Sequence, residues 1–246
     1  MNEIMNLSAL TASPAQIPEA IARAAASTGI DFAFLLQQAR AESGLNPAAH
    51  ARSSSASGLF QFIDSTWLAV IKQHGAAHGL GWAAAAIERA GHQLHIADPA
   101  MRQAVLALRL DPQISSTMAA AHTADNKAGL EARLGRVVGA ADLALAHFLG
   151  LGGATKFLRA LVRNPAASAA GTVPQAAPGN HRIFYDRGGA ARSLTEVYEH
   201  IAARFAGTAG PAQAPTPEPA QYPQGAAFPA PAYARAAYLM LAELGA

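Results

Sequence analysis

A glutamate set in line with an apolar helix face is the first residue of this sequence that could do acid–base chemistry. Phe32, Leu35, Leu36 and Ala39 recur at helical spacing, and Glu42 continues that stripe, three residues after Ala39 and seven after Leu35. Taking a carboxylate out of water is costly. The last turn of a helix also places it at the negative end of the dipole. Both effects favour the protonated carboxyl, the form in which a side chain serves as a general acid near neutral pH. The bland alternative is a glutamate that turns to solvent at a fraying helix end.

Other polar groups fall near it in sequence. Gly58-Leu59-Phe60-Gln61-Phe62 is an apolar run with one amide. Gly58 permits close backbone approach, and Gln61 has the donors and acceptor to read sugar hydroxyls or N-acetyl groups; otherwise Gln61 faces water between core positions. Ser43 could orient Glu42 by a hydrogen bond, or bond a helix carbonyl instead. Phe60, Phe148 and Tyr185 are candidates for packing on a ligand, although aromatic residues are more often core. His74 and His78 are spaced i, i+4 and His92 lies close to His95. No third ligand accompanies either pair, so no metal site is predicted. Asp64, opening Asp64-Ser65-Thr66 before an apolar stretch, reads as a helix N-cap, while Asp31, Asp98, Asp111 and Asp142 read as caps or solvated residues. If Asp64 instead faced Glu42, it would be the second carboxylate of a hydrolase.

The elements that must hold these residues are helical. Alanine is abundant and β-branched residues are sparse, so helix is the default. Pro14 and Pro18 flank the start of a first helix, 17–28, closed by Gly29. Asp31 is placed to cap a second helix ending at Ser43-Gly44. Residues 52–58 read as a Ser/Gly-rich loop. Further helices fit 64–71, 83–90, 99–108, 114–130, 140–148 and 154–162, and a last one, 193–205, opens with a Ser193…Glu196 capping box. Beyond Gly207 come prolines 211, 215, 217, 219, 223, 229 and 231, which predict a disordered or polyproline linker.

Composition narrows the class. The 246 residues are 51% hydrophobic and 14% charged, sufficient for a sizeable core. A net charge of +2 argues against a nucleic-acid partner. Without cysteine there are no disulfides or thiolate metal sites. No stretch has the apolar length of a membrane span. The first residues carry Glu3, have no Lys or Arg before Arg23, and lack a long apolar core, so no Sec signal is visible.

Glu42-Ser43-Gly44-Leu45-Asn46-Pro47 followed by Ala56-Ser57-Gly58-Leu59-Phe60-Gln61-Phe62 resembles the soluble lytic transglycosylase family, related to goose-type lysozyme. That family has E-S, then after a short gap G-L-M-Q, and later A-Y-N-A-G. Asp111-Pro112-Gln113-Ile114 with its Ala-rich helix resembles the segment before the third motif. At that motif this chain has Ala146-His147-Phe148-Leu149-Gly150, so His147 stands for the family tyrosine and Phe148 for the asparagine. The likeness covers about 17–161.

The resemblance implies an all-α, lysozyme-like fold with little or no β structure and a groove between helical lobes. Together with the composition, it divides the chain into a flexible arm (1–13), a catalytic domain (14–206, with core motifs at 31–161 and an extension at 162–206), a Pro-rich linker (207–231) and a short helical or docking segment (232–246). It further implies cleavage of the MurNAc–GlcNAc bond of peptidoglycan, with Glu42 as catalytic acid and base and no cofactor. Ser43, Gly58, Phe60, Gln61, His147, Phe148 and Tyr185 would then bind the glycan. Two alternatives accompany this expectation: a lysozyme-like hydrolase using water, and an inactive wall-binding or assembly module. The expected setting is the periplasm or cell envelope. The protein would be a monomer, with a secretion, flagellar or phage apparatus protein as partner through the C-terminal tail.

Overall fold

The computed structural model describes residues 16–205. The arm expected over 1–13 and the segments 207–231 and 232–246 lie outside the described residues. The described chain is mostly helical, with one two-stranded hairpin as its only sheet. No helix among these residues is long and apolar enough to cross a membrane. The chain divides into two compact units, Met1–His122 and Thr123–Ala246.

In the first unit, α1 (Gln16–Thr28) buries Ile17, Ala20, Ile21, Ala24 and Ala25 and packs on α2 (Phe32–Ser43). Asp31 caps α2 as its sequence predicts, its carboxylate accepting from the Phe34 N–H at 2.8 Å. The buried face of α2 is rotated from the one periodicity suggested. Phe34, Leu35, Gln38, Ala39 and Glu42 face inward, whereas Phe32 is 38% exposed. Phe32 is the first residue of the helix.

Helix α3 (Asp64–His74) carries Trp67, fully buried, whose indole N–H donates to the Val105 carbonyl at 2.8 Å. Phe62 packs on it with ring centroids 5.2 Å apart. A 3₁₀ turn, Gly75–His78, leads to α4 (Gly81–Ala86). The helix expected over 83–90 stops there. Ile87 is extended, and Glu88–Ala90 (β1) pairs antiparallel with Gln93–His95 (β2). The pairing of Ala90 with Gln93 leaves Gly91-His92 as the turn, and Gly91 has φ +59°. Glycine at the first turn position matches the right-handed twist of a hairpin, which outweighs the helix propensity of the alanines before it. Helix α5 (Pro99–Ala107), capped by Asp98, and a 3₁₀ turn at Leu108–Leu110 precede α6 (Pro112–Leu134), within which the unit boundary falls.

In the second unit, α7 spans Ala140–Arg163 but breaks at Gly150 (φ 68°, ψ 163°), so its halves match the two helices the sequence predicts. Short helices α8 (Ala169–Thr172) and α9 (His181–Phe184) lead to α10 (Leu194–Ala203), which packs on α7. Ser193 and Glu196 form the predicted capping box.

Of the two roles offered for Asp142, cap or solvated residue, the structure shows the cap. Asp142 is 2% exposed and accepts from the Gly139 N–H, from Arg136 through both guanidinium Nη atoms (2.7 and 3.2 Å), and from the Tyr198 hydroxyl at 3.1 Å. This ties the start of α7 to α10. Burial, then the charge and hydrogen bond of Asp142, push the Tyr198 phenol up from its ordinary value. An acid raised in the folded state is protonated in both states below its unfolded value, and it loses its contribution as pH rises beyond that. Stability should therefore decline above about pH 10. Tyr198→Phe should flatten that decline while costing about 1 kcal/mol at neutral pH. Melting curves of the two proteins over this range test it, and identical alkaline slopes would refute it.

Candidate functional site

The end of α2 is built around two consecutive left-handed residues. Gly44 (φ 62°) donates to the Arg40 carbonyl at 3.0 Å, and Leu45 (φ 65°) donates to the Ala39 carbonyl at 3.3 Å. These bonds satisfy helix-end carbonyls and turn the chain sharply after Glu42-Ser43. A leucine in this conformation costs on the order of 1 kcal/mol. Glu42 is 9% exposed. Gln38, 5% exposed, lies one turn earlier on the same face. Gln38 falls outside the apolar stripe of Phe32, Leu35, Leu36 and Ala39, of which Leu35 and Ala39 do face inward.

The segment 57–62 is a tight turn. Ser57 donates its N–H to the Phe62 carbonyl (3.2 Å), and Gly58 donates to Ala49 (2.8 Å). Gln61 sits at φ 46°, and its amide donates to the carbonyls of Gly58 (2.8 Å) and Ala49 (3.1 Å). The amide nitrogen assigned to reading sugars is thus committed to pinning its own loop. Gly58 does meet a backbone closely, but the neighbour is the protein itself. A Cβ there would lie 2.0 Å from the Arg109 carbonyl oxygen, and φ is +82°.

Ser43 joins the two segments. Its hydroxyl lies 2.8 Å from the Leu59 carbonyl and 3.1 Å from that of Ala39. Of the two roles open to Ser43, a bond to Glu42 or to a helix carbonyl, the second is the one observed, with the Leu59 bridge added to it. The E-S pair and the G-L-F-Q run, sixteen residues apart, are therefore in contact. Phe60, 2% exposed, is core and presents no face to a ligand.

Asp64 is not a cap. Helix α3 begins at Asp64 itself, after Ile63, and its carboxylate receives Arg109 Nη1 at 2.9 Å and Arg102 Nη2 at 2.5 Å. Arg109 is 6% exposed, and sequence reading did not single it out. Its Nε donates to Leu106, and its Nη1 lies 2.8 Å from the carbonyls of both Ser55 and Phe62. Burial lowers its pKa and the charge of Asp64 raises it. A guanidinium in this setting stays charged.

His147, Phe148 and Tyr185 belong to the second unit. His147 is half-buried. Phe148 is 1% exposed and stacks on Phe184 at 6.1 Å, so it too is core and not a sugar platform. Tyr185 is half-buried, stacks on His181 at 4.5 Å, and helps line an open cleft of about 640 Å³ with Pro174 and Pro178. A cleft of about 490 Å³ in the first unit is lined by His50, Ser57, Arg102, Gln103 and Arg109 among others, and contains none of the predicted site residues. Among the described residues, no three His, Asp or Glu side chains gather as a metal site would require. No protein-family model matches the sequence.

Gly58→Ala combines a left-handed φ with a backbone collision, and should destabilise the first unit by at least about 2 kcal/mol. Ser43→Ala should cost only about 1 kcal/mol, the value of a hydrogen bond. Denaturant titration of both variants checks this ranking, and a Gly58→Ala protein as stable as wild type would contradict the close approach.

Proposed function

We propose that this chain is a peptidoglycan lytic transglycosylase of lysozyme-like fold, with Glu42 as its single catalytic carboxyl group. The observation that carries the reading is the burial of Glu42 at the end of α2, where Ser43 fastens the E-S pair to the G-L-F-Q turn. Two non-glycine residues in left-handed conformation, Leu45 and Gln61, flank the same region. Such backbone strain concentrates at functional sites.

In the proposed reaction, the protonated Glu42 carboxyl donates to the oxygen of the MurNAc–GlcNAc bond. That bond breaks as the MurNAc ring becomes oxocarbenium-like. The C6 hydroxyl of the same MurNAc then attacks C1, and the Glu42 carboxylate takes the hydroxyl proton. The products are a 1,6-anhydro end and a free GlcNAc hydroxyl, with no water consumed. Asp64 is committed to two guanidinium groups, which favours this route over hydrolysis with a second carboxylate as base.

A second reading, an inactive wall-binding or assembly module, draws on Phe60 and Phe148 being core residues. The two readings part cleanly in one assay. The wild-type protein should clear purified sacculi and release muropeptides with 1,6-anhydro ends by mass spectrometry. Glu42→Gln should lower the rate by about 10²–10⁴-fold. Reducing ends would indicate the hydrolase, and equal behaviour of wild type and variant would end the enzyme proposal.

A further inference from the structure

The cleft of the first unit has the chemistry of an anion site. Arg109 is more than nine-tenths buried, and its Nε and Nη1 are fully engaged by Leu106, Ser55, Phe62 and Asp64. Nη2 makes no hydrogen bond among the described residues, and 8% of the Arg109 side chain remains exposed. Arg109 is also part of the lining of the cleft. A guanidinium offers its donors as a planar fork, and Nη2 carries the two that remain.

The charge count points the same way. Asp64 is one carboxylate shared by two guanidinium groups, those of Arg102 and Arg109. The cluster therefore carries one positive charge in excess. Arg102 lines the cleft with 45% of its side chain exposed and one Nη held by Asp64. Ser57 and His50 stand on the same wall, with the imidazole Nδ1 3.0 Å from the Ser57 hydroxyl, which leaves Nε2 as the second ring nitrogen. Gln103 adds an amide. Leu106, Ala107, Leu110 and Pro99 supply the apolar part of its wall.

We infer that this cleft binds an anionic group, a carboxylate or a phosphate, between Arg102 and Arg109 Nη2, with His50 and Gln103 at its edge. The site does not use Glu42 and stands whether or not the chain cleaves glycan. It does share the turn at 57–62 with the Glu42 region, since Ser57 lines the cleft and Leu59 meets Ser43.

Titration of the full chain with inorganic phosphate and with acetate, followed by NMR of the His50 imidazole at low ionic strength, tests the site. Saturable binding is expected, weakened about tenfold in Arg102→Gln and unchanged in Glu42→Gln. The tighter of the two anions names the class of ligand. Arg109→Ala is unsuitable because it removes the bonds that hold the turn; Arg102 is exposed, and a melting curve confirms that its variant folds. Failure of both anions to saturate, or equal binding by wild type and Arg102→Gln, overturns the proposal. Loss of wall cleavage in Glu42→Gln with anion binding intact keeps the two proposals separate.

Discussion

The first unit depends on a buried guanidinium. A charge removed from water must be paired and hydrogen-bonded, or it destabilises the fold by several kcal/mol. Arg109 meets that requirement with three backbone carbonyls and the Asp64 carboxylate. Two of those carbonyls, Ser55 and Phe62, bracket the turn at 57–62, so the ion fixes both ends of that turn at once. The Arg109 carbonyl lies directly beneath Gly58, at a spacing no side chain could share.

From this anchor a short series of bonds leads to the proposed acid. The turn is closed internally by Gln61, and Leu59 presents its carbonyl to Ser43. Ser43 directly follows Glu42, where α2 is stopped by Gly44 and Leu45. The carboxyl is thus carried on a rigid helix end whose neighbouring loop is set from 47 residues away, the separation of Phe62 and Arg109. Precision of this kind is what a catalytic group requires of its support.

Much of the helical framework was legible in the sequence because its signals are local. Asp31 at the start of α2, Gly44 at its end, and the Ser193–Glu196 box all act within a few residues of the groups they bond. The misreadings have a common cause in distant partners. Asp64 looks like a cap until Arg102 and Arg109 come from α5 and the turn after it. Gln61 looks like a ligand reader until its own loop folds back on it. Alanines 83–86 suggest a helix running through Ala90, but the pairing of 88–90 with 93–95 decides otherwise. Asp142 does cap the start of α7, one of the two roles its sequence offers, but the bond from Tyr198, 56 residues on, is not legible there. The contact between the E-S pair and the G-L-F-Q run, made by the Ser43–Leu59 bond, is not visible in the sequence, where the two lie sixteen residues apart.

The break in α7 has a consequence for how its sequence can vary. Gly150 has φ 68° and ψ 163°, a region essentially closed to residues with a Cβ. Were it replaced by alanine, the path of least strain would be a straight rod from Ala140 to Arg163. Each residue turns an uninterrupted helix by about 100°, so Phe157 and Leu158 would be rotated out of step with Leu145 and Phe148. Both groups are buried now, and in a straight rod they would point to different sides of the helix. One hydrogen atom at this position therefore decides whether the apolar residues on either side can be enclosed together.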